Sequence, residues 1–384
     1  MEPLSPEHSP DRKLRILHIL LATDPGGLSK YVIDLANATA SAGHDTLVAA
    51  DRGEHDERFH GQKFQFLSIP LKSEWLRFGK SLRLLRNALS ETSIDVIHTH
   101  YRRATLLARR WQRAQRAGGQ APPILYTVHL SHISLRFPRN LLTDFGDFTH
   151  IASQDAREWC VKSGGVSPDR ITLIPHGIDI ARFAPRTLEQ KAAARRALGL
   201  ADRDLVAAFV GRLEDPKNEA WLLDLAAATG AQFPNLRVLL AGDGPNAPSL
   251  RDRIDRENLH DRVRLLGERD PLDVYRAADA LLLPSGREGF SFVCGEAMSV
   301  GVPVLRTRTS GTREMIIEGV TGRSTPIDHD AFIAAAIEFL SDTAKLVEMG
   351  AAASAHVRAN LTYDLQVART LELYRRLSTL RRLA

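Results

Sequence analysis

Residues 281–305 read LLLPSGREGFSFVCGEAMSVGVPVL. The run Leu281-Leu282-Leu283, with Ala280 before it and Pro284 after it, is apolar on every side chain. That is how a strand reads when both of its faces are covered. A loop follows with Glu288, Gly289, Phe290 and Ser291, and a helix is expected to open near Phe292 and to carry Glu296. Gly301 and Pro303 then punctuate the way into a second apolar run, VPVL. Buried strand, loop, helix and buried strand form the repeating unit of a parallel sheet with crossover helices.

The same unit recurs outward from this stretch. LVAAFVG, LRVLLAG, RVRLLG, ALLLPS and VPVLRT make one series, followed by helical segments (AFIAAAIEFLSD, LVEMGAAASAHVRANL, LQVARTLELYRRLSTLRR). LRILHILLA, TLVAA, FQFLSIP, IDVIHTH, PILYTVHL, FTHIAS and ITLIPHG make another. Helices LSKYVIDLANATASAG, WLRFGKSLRLLRNALS and ATLLARRWQRAQRA lie between strands of that earlier series. The polar, alanine-rich RTLEQKAAARRALGLADRD separates the two. The fold class predicted is α/β: two doubly wound, Rossmann-like parallel-sheet domains facing a cleft, with the boundary near His176–Arg186. The expected division is a disordered tail at 1–13, one domain at 14–176 and a second at 177–384, whose last helix can cross back to the first. Ligands of such sheets bind beyond the carboxyl ends of the strands.

The length of 384 residues, 43% hydrophobic and 25% charged, suits a globular chain with a sizeable core and excludes disordered, collagen-like or coiled-coil classes. No apolar run approaches the ~18 residues of a membrane span. The opening MEPLSPEHSPDRK is polar and proline-rich, without an apolar segment that would serve as a secretory signal. Cys160 and Cys294 suggest neither a disulfide framework nor a zinc cluster, so a reducing cytoplasm is the expected location. The net charge of +5 sits in the first half, where residues 1–175 hold 23 Lys+Arg against 18 Asp+Glu. Residues 72–116 alone carry 11 basic side chains against three acidic ones. Within them, Trp75, Leu76, Phe78, Leu82 and Leu85 alternate with Lys72, Arg77, Lys80, Arg83 and Arg86 in a basic amphipathic pattern. Such a helix can lie peripherally on an anionic membrane; equally, it can pack on its own domain with its cations in water. Nucleic acid is not an expected partner.

Several turns sit where ligands bind. Gly26 and Gly27 join the first strand to a helix, where the backbone can approach a ligand and the helix N-terminus offers N–H groups to an anion. This is neither a G-x-G-x-x-G fingerprint nor a P-loop. Asp51, 24 positions after Gly27, imitates the ribose-binding acid of a dinucleotide site, which keeps an NAD-dependent oxidoreductase in view. Arg212 and Lys217 follow strand LVAAFV and can reach one diphosphate, or can be two solvated loop cations. Gly242-Asp243-Gly244-Pro245 is a further tight turn at the same edge. Glu288 would hang from its loop and Glu296 from the first helical turns, where a carboxylate can accept two sugar hydroxyls; a loop carboxylate and a helix-dipole role are the plainer alternatives. His129 ends strand PILYTVHL. It, like His98, His100, His132, His150 and His176, can be merely structural. No His/Cys/Asp cluster has metal-ligand spacing, so no metal site and no cofactor are expected.

Together these residues resemble the retaining, metal-independent glycosyltransferases of the GT-B fold, in a family 4-like group. The likeness runs from Gly26-Gly27 through Thr127-Val128-His129, Ile174-Pro175-His176-Gly177-Ile178-Asp179, Val210-Gly211-Arg212-Leu213 with Lys217, and Gly242-Asp243-Gly244-Pro245. It ends at Glu288-Gly289-Phe290 with Glu296-Ala297, two glutamates separated by seven residues and the most specific element. The resemblance implies transfer of a sugar from a nucleoside diphosphate sugar, such as a UDP-sugar or GDP-mannose, to a saccharide or lipid-linked saccharide. Bacterial polysaccharide, lipopolysaccharide or glycolipid synthesis would be its setting. It makes His129, Arg212, Lys217 and Glu288 the catalytic group. The nucleotide sugar would be held by Gly26, Gly27, Gly244, Glu268, Glu288, Gly289, Phe290, Ser291, Phe292 and Glu296 as well as by Arg212 and Lys217. A sugar-nucleotide binding protein or an epimerase is the alternative.

Three positions depart from the family pattern. His176 stands where Asn is usual, and histidine tolerates turn conformations. Ser310-Gly311-Thr312-Arg313-Glu314 replaces a Gly-Gly before a downstream Glu. Leu130 follows Thr-Val-His.

Overall fold

The computed structural model describes residues 12–24, 26–72, 78–90, 92–116, 121–131, 133–136 and 142–383. The chain divides into two compact units, 1–174 with 366–384, and 175–365.

The first unit runs β1 (Arg15–Ala22), α1 (Gly27–Ser41), β2 (Asp45–Asp51), β3 (Gln65–Ser68), α2 (Gly79–Ala88), β4 (Val96–Thr99), α3 (Arg102–Arg116), β5 (Ile124–Val128), β6 (Phe148–Ile151), α4 (Gln154–Lys162) and β7 (Ile171–Leu173). The second runs α5 (Leu188–Ala197), β8 (Leu205–Val210), α6 (Trp221–Ala228), β9 (Leu236–Ala241), α7 (Ala247–Arg256), β10 (Val263–Gly267), α8 (Pro271–Ala277), β11 (Ala280–Leu283), α9 (Phe292–Val300), β12 (Val304–Thr307), α10 (Thr312–Met315), β13 (Gly322–Thr325), α11 (His329–Ser341) and α12 (Thr343–Asn360). The closing helix α13 (Tyr363–Leu383) lies mostly in the first unit.

Both sheets are parallel throughout, ordered β3-β2-β1-β4-β5-β6-β7 and β10-β9-β8-β11-β12-β13. The all-apolar strand pattern follows from helices on both faces. On one side of the first sheet, Leu17, Ile19, Ala49 and Ile97 pack with Leu85 of α2 and Ala104, Leu107 and Ala108 of α3. On the other, Leu14, Ile16, Val96 and Leu125 are covered by Leu371, Leu373, Tyr374 and Leu377 of α13. In each sheet the strand order reverses once, between β1 and β4 and between β8 and β11. Loops leaving those neighbours diverge and open a crevice at the carboxyl ends.

The elements differ from the expectations in a few places. β13 was not foreseen: GRST is short and polar, and it forms because β12 offers a parallel edge from Val304 to Thr307. α2 begins at Gly79, after a left-handed Phe78 (φ 46°), and Trp75, Leu76 and Arg77 lie outside the described residues. Phe78 and Leu85 are buried in the core and Leu82 packs against it, so the described part of that apolar face is covered by its own unit. Lys80, Arg83, Arg86, Arg110 and Arg113 are exposed. His132, one of the histidines noted above, also lies outside the described residues. Among the described residues no helix is long and apolar enough to cross a membrane.

Candidate functional site

The crevice of the second unit is built from the loops that follow β8 and β11. They are laced together: Asn218 Nδ2 donates to the Pro284 carbonyl at 2.9 Å, and the Gly286 N–H donates to the Pro216 carbonyl at 2.6 Å. Asn218 takes a left-handed conformation (φ 54°), which an asparagine tolerates at a sharp turn. The lacing brings Lys217 Nζ to 2.7 Å from Glu288 Oε1, with the side chains 23% and 10% exposed. The pair is largely sheltered from solvent and ties the loop after β8 to the loop after β11. Arg212 is different. Its Nε donates to Glu214 Oε2 at 2.6 Å and its side chain is 61% exposed, at the solvent rim.

The loop after β9 forms another wall. Gly242 and Gly244 have φ of +135° and +157°, and a Cβ on either would overlap a carbonyl oxygen, of Gly211 and of Leu213 respectively. Glycine is required there by contact as well as by conformation, because backbone lies directly on backbone. The Gly242 N–H donates to the Gly267 carbonyl at 2.8 Å, so exposed Glu268 stands next to this turn.

Helix α9 starts after Ser291 with no side-chain cap, leaving first-turn N–H groups for another partner. Phe290 and Phe292 enclose buried His176, whose ring stacks on Phe292 (5.4 Å, 5° between planes) and meets Phe290 edge-on (5.2 Å). His176 does not have a positive φ; stacking, rather than turn tolerance, is what accommodates it. Gly311 lies against Phe290, so the Ser310-Gly311 turn backs the Glu288–Ser291 loop. Glu296 Oε2 accepts from the Tyr275 hydroxyl at 3.1 Å. Burial first, and the Glu296 charge next, push the Tyr275 pKa well up, so that hydroxyl remains a donor.

In the first unit, α1 opens at Gly27 with Gly26 as its N-cap (φ 130°) and no side-chain cap. His129 follows β5, half-buried, with Tyr31 of α1 edge-on at 5.1 Å. Its Nε2 lies 3.2 Å from His100 Nδ1. Burial, with a smaller contribution from His150, pushes the His129 pKa down to about 3, so the ring is neutral. Asp51 is committed elsewhere: Oδ1 accepts the Arg52 N–H at 2.9 Å and Oδ2 the Lys72 N–H at 2.7 Å. That carboxylate organises the loop after β2.

Comparison with known proteins accords with this geometry. The family described as glycosyl transferases group 1 matches residues 190–356, and glycosyltransferase family 4 matches residues 25–182. A D-inositol 3-phosphate glycosyltransferase from Corynebacterium urealyticum is 32% identical over 75% of this chain and 73% of its own length. The group 1 glycosyltransferases are the family of this chain. A phosphatidyl-myo-inositol mannosyltransferase from Mycolicibacterium smegmatis is 30% identical over 83% of this chain and 82% of its own. Among solved structures, Anabaena HepE in complex with UDP superposes with a TM-score of 0.81 at 21% identity, over 94% of this chain and 99% of that one. At that identity the likeness concerns the GT-B fold alone.

In this glycosyltransferase the structure brings Lys217, Glu288, Gly289 and Ser291 to one crevice and sets Gly244 and Glu268 on the β9–β10 side. Arg212 stands at the rim, and Gly26, Gly27 and His129 belong to the first unit. Sequence reasoning missed Tyr275, which holds Glu296. It also missed Arg306, fully buried, whose Nη2 donates to Thr309 Oγ1 at 2.6 Å and so pins the turn ahead of Gly311. Tyr275 is 21 positions from the glutamate it holds, and the Arg306 contact, though only three positions long, depends on an arginine being buried, which local sequence does not report.

Proposed function

We propose that this glycosyltransferase moves a sugar from a nucleoside diphosphate sugar to an acceptor hydroxyl with retention of configuration and without a metal. The observation that carries the reading is the sheltered Lys217–Glu288 pair at the mouth of the second sheet, beside the uncapped start of α9. Cleaving the anomeric C–O bond builds positive charge on the sugar and negative charge on the diphosphate. Fixed positive groups that need no reorganisation stabilise that leaving group most effectively. Lys217 and the α9 N–H groups supply them, and Arg212 joins by leaving Glu214. Glu288 steadies Lys217 before the donor arrives and then accepts hydroxyls of the transferred sugar. Glu296, held by Tyr275, takes the ribose; Glu268 lies toward the base; Phe290 and Phe292 form the apolar floor. The family resemblance assigns Gly26 and Gly27 to the phosphates and His129 to the sugar. The displacement takes place on the face the phosphate leaves, with the phosphate helping to accept the acceptor's proton.

Relatives named for D-inositol 3-phosphate and phosphatidyl-myo-inositol support a polyol, saccharide or glycolipid acceptor. The mannosyltransferase relative and the UDP-bound structural neighbour put GDP-mannose and UDP-sugars first among donors. Envelope glycolipid or polysaccharide synthesis on the inner face of a membrane is the corresponding setting. Thermal stabilisation across UDP-, GDP- and ADP-sugars tests the reading, since a ligand at a hundred times its Kd adds about 2.7 kcal/mol. One donor is expected to raise Tm, and transfer is expected to persist in EDTA. If no nucleotide sugar shifts Tm, or EDTA abolishes transfer, the reading fails.

A further inference from the structure

Five imidazoles lie together at the carboxyl half of the first sheet. His18 of β1 is in register with His98 of β4; His100 follows β4, His129 follows β5, and His150 of β6 is in register with Thr127 of β5. His18, His98, His100 and His150 are at most 1% exposed. Among the described residues, Tyr31 of α1 and Tyr374 of α13 are titratable groups that face them. The hydrogen bonds fix where the protons are. His150 Nε2 lies 2.8 Å from the Ile174 carbonyl, which only accepts, so that nitrogen carries the proton and Nδ1 has the lone pair. Thr127 Oγ1, 2.8 Å away, therefore donates to His150 Nδ1 and accepts from His98 Nε2 at 2.6 Å. His98 Nδ1 is then the acceptor for the Tyr374 hydroxyl at 2.6 Å. His18, His98 and His100 have metal-ligand spacing, but His98 keeps no lone pair for an ion, which rules against a metal centre there.

The remaining three rings form a second row that runs inward from the site. His129 Nε2 lies 3.2 Å from His100 Nδ1, and His100 Nε2 lies 3.0 Å from His18 Nδ1. His18 Nε2 is buried and has no partner among the described residues. Three neutral rings in a row have two proton registers. In one, every Nε2 carries the proton and His18 buries an orphan N–H. In the other, every Nδ1 carries it and His18 buries only an unused lone pair. Orphaned buried donors are the rarer and costlier of the two, so the second register is favoured. Changing register would move one proton from His18 Nε2 to His129 Nδ1, and the dead end at His18 gives it no route.

We propose that His100 and His18 are positioning residues that hold His129 neutral with its proton on Nδ1, so that His129 acts on the substrate as a hydrogen-bond donor and not as a base. The part concerning substrate rests on the placement of His129 in the transferase site; the tautomer does not.

The test is 15N NMR of the full chain labelled at histidine, with His129 assigned by His129→Gln. His129 is expected to show a pyrrole-type Nδ1 and a pyridine-type Nε2, unchanged from pH 5.5 to 8. In His100→Phe the row is cut, and His129 should shift toward the Nε2–H form; in His100→Gln the side-chain amide can still donate to Nε2, and the wild-type pattern should return. A wild-type His129 that carries its proton on Nε2, or that titrates within this range, overturns the proposal. So does an unchanged His129 in His100→Phe; if that variant does not fold, the wild-type spectrum decides alone. These readouts need no donor, so absent transfer with the expected spectrum would sink the proposed function and leave the tautomer lock standing.

Discussion

At the scale of single residues, the two cations expected to share one diphosphate are unequal. Lys217 is sheltered in its pair with Glu288, whereas Arg212 is exposed and paired with Glu214. Lys217→Ala is expected to lower turnover at saturating donor by on the order of a hundredfold, the usual loss for one fixed donor to a developing charge. Arg212→Ala should fall short of that, because Arg212 must first leave its carboxylate and its water. Steady-state kinetics on both variants checks the order, and equal turnover in Lys217→Ala and wild type would remove Lys217 from the chemistry. Gly242 makes a different kind of claim. With φ at +135° and the Gly211 carbonyl where a Cβ would go, Gly242→Ala should cost about 2–3 kcal/mol, read as a lower urea midpoint. The glycines were legible because residue type alone reports a conformational need. Tyr275 and Arg306 were not, since nothing local distinguishes a buried polar side chain from one at the surface.

At the scale of elements, periodicity located the strands and most helices but left open which face of a helix is covered. In α2 the stripe ending in Leu85 reads as well for a membrane as for a core, and the structure packs it with α3 under the sheet. Arg110 also lies over the Phe78 ring, 4.8 Å from its centroid. What α2 and α3 offer a lipid surface is therefore charge. Binding to anionic vesicles is expected at low salt and should be lost by about 0.5 M NaCl, where the screening length falls to a few ångströms. Liposome flotation measures it; no binding at low salt, or binding indifferent to salt, would end the membrane reading. β13 shows the opposite limit. GRST has no pattern of its own, and it is a strand because β12 presents an unpaired edge.

At the scale of the whole molecule, α13 completes the first unit, beginning 190 positions beyond the last strand of that sheet, and its Tyr374 anchors the buried imidazoles through His98. Those rings make stability depend on pH. Burial depresses the folded-state pKa of His18 and His129 to about 3 and of His150 to about 4, and holds His98 and His100 well below 6.5. The unfolded chain, titrating near 6.5, takes up protons first on acidification. Stability from these rings is thus complete above about pH 6.5 and declines as pH falls toward 3. By pH 5 each ring with a folded pKa near 3 has given up about 2 kcal/mol. Urea denaturation at pH 8, 6.5 and 5 should show a smaller drop over the first step than over the second. Equal midpoints at pH 8 and 5 would contradict the buried neutral row.

The sequence by itself determined the class of architecture, the two strand series, the glycine turns and the Glu288/Glu296 element. All of these are carried by local spacing and by residue types with few alternatives. Tertiary structure alone decided the Lys217–Glu288 pair, the Tyr275 support for Glu296, the cover over α2 and the proton order among the histidines. Lys217 and Glu288 are 71 positions apart, and His18 and His100 are 82 apart. A period says which way a side chain faces along its own element. Which distant element it meets depends on the order in which strands become neighbours, and that order is an outcome of packing the whole sheet.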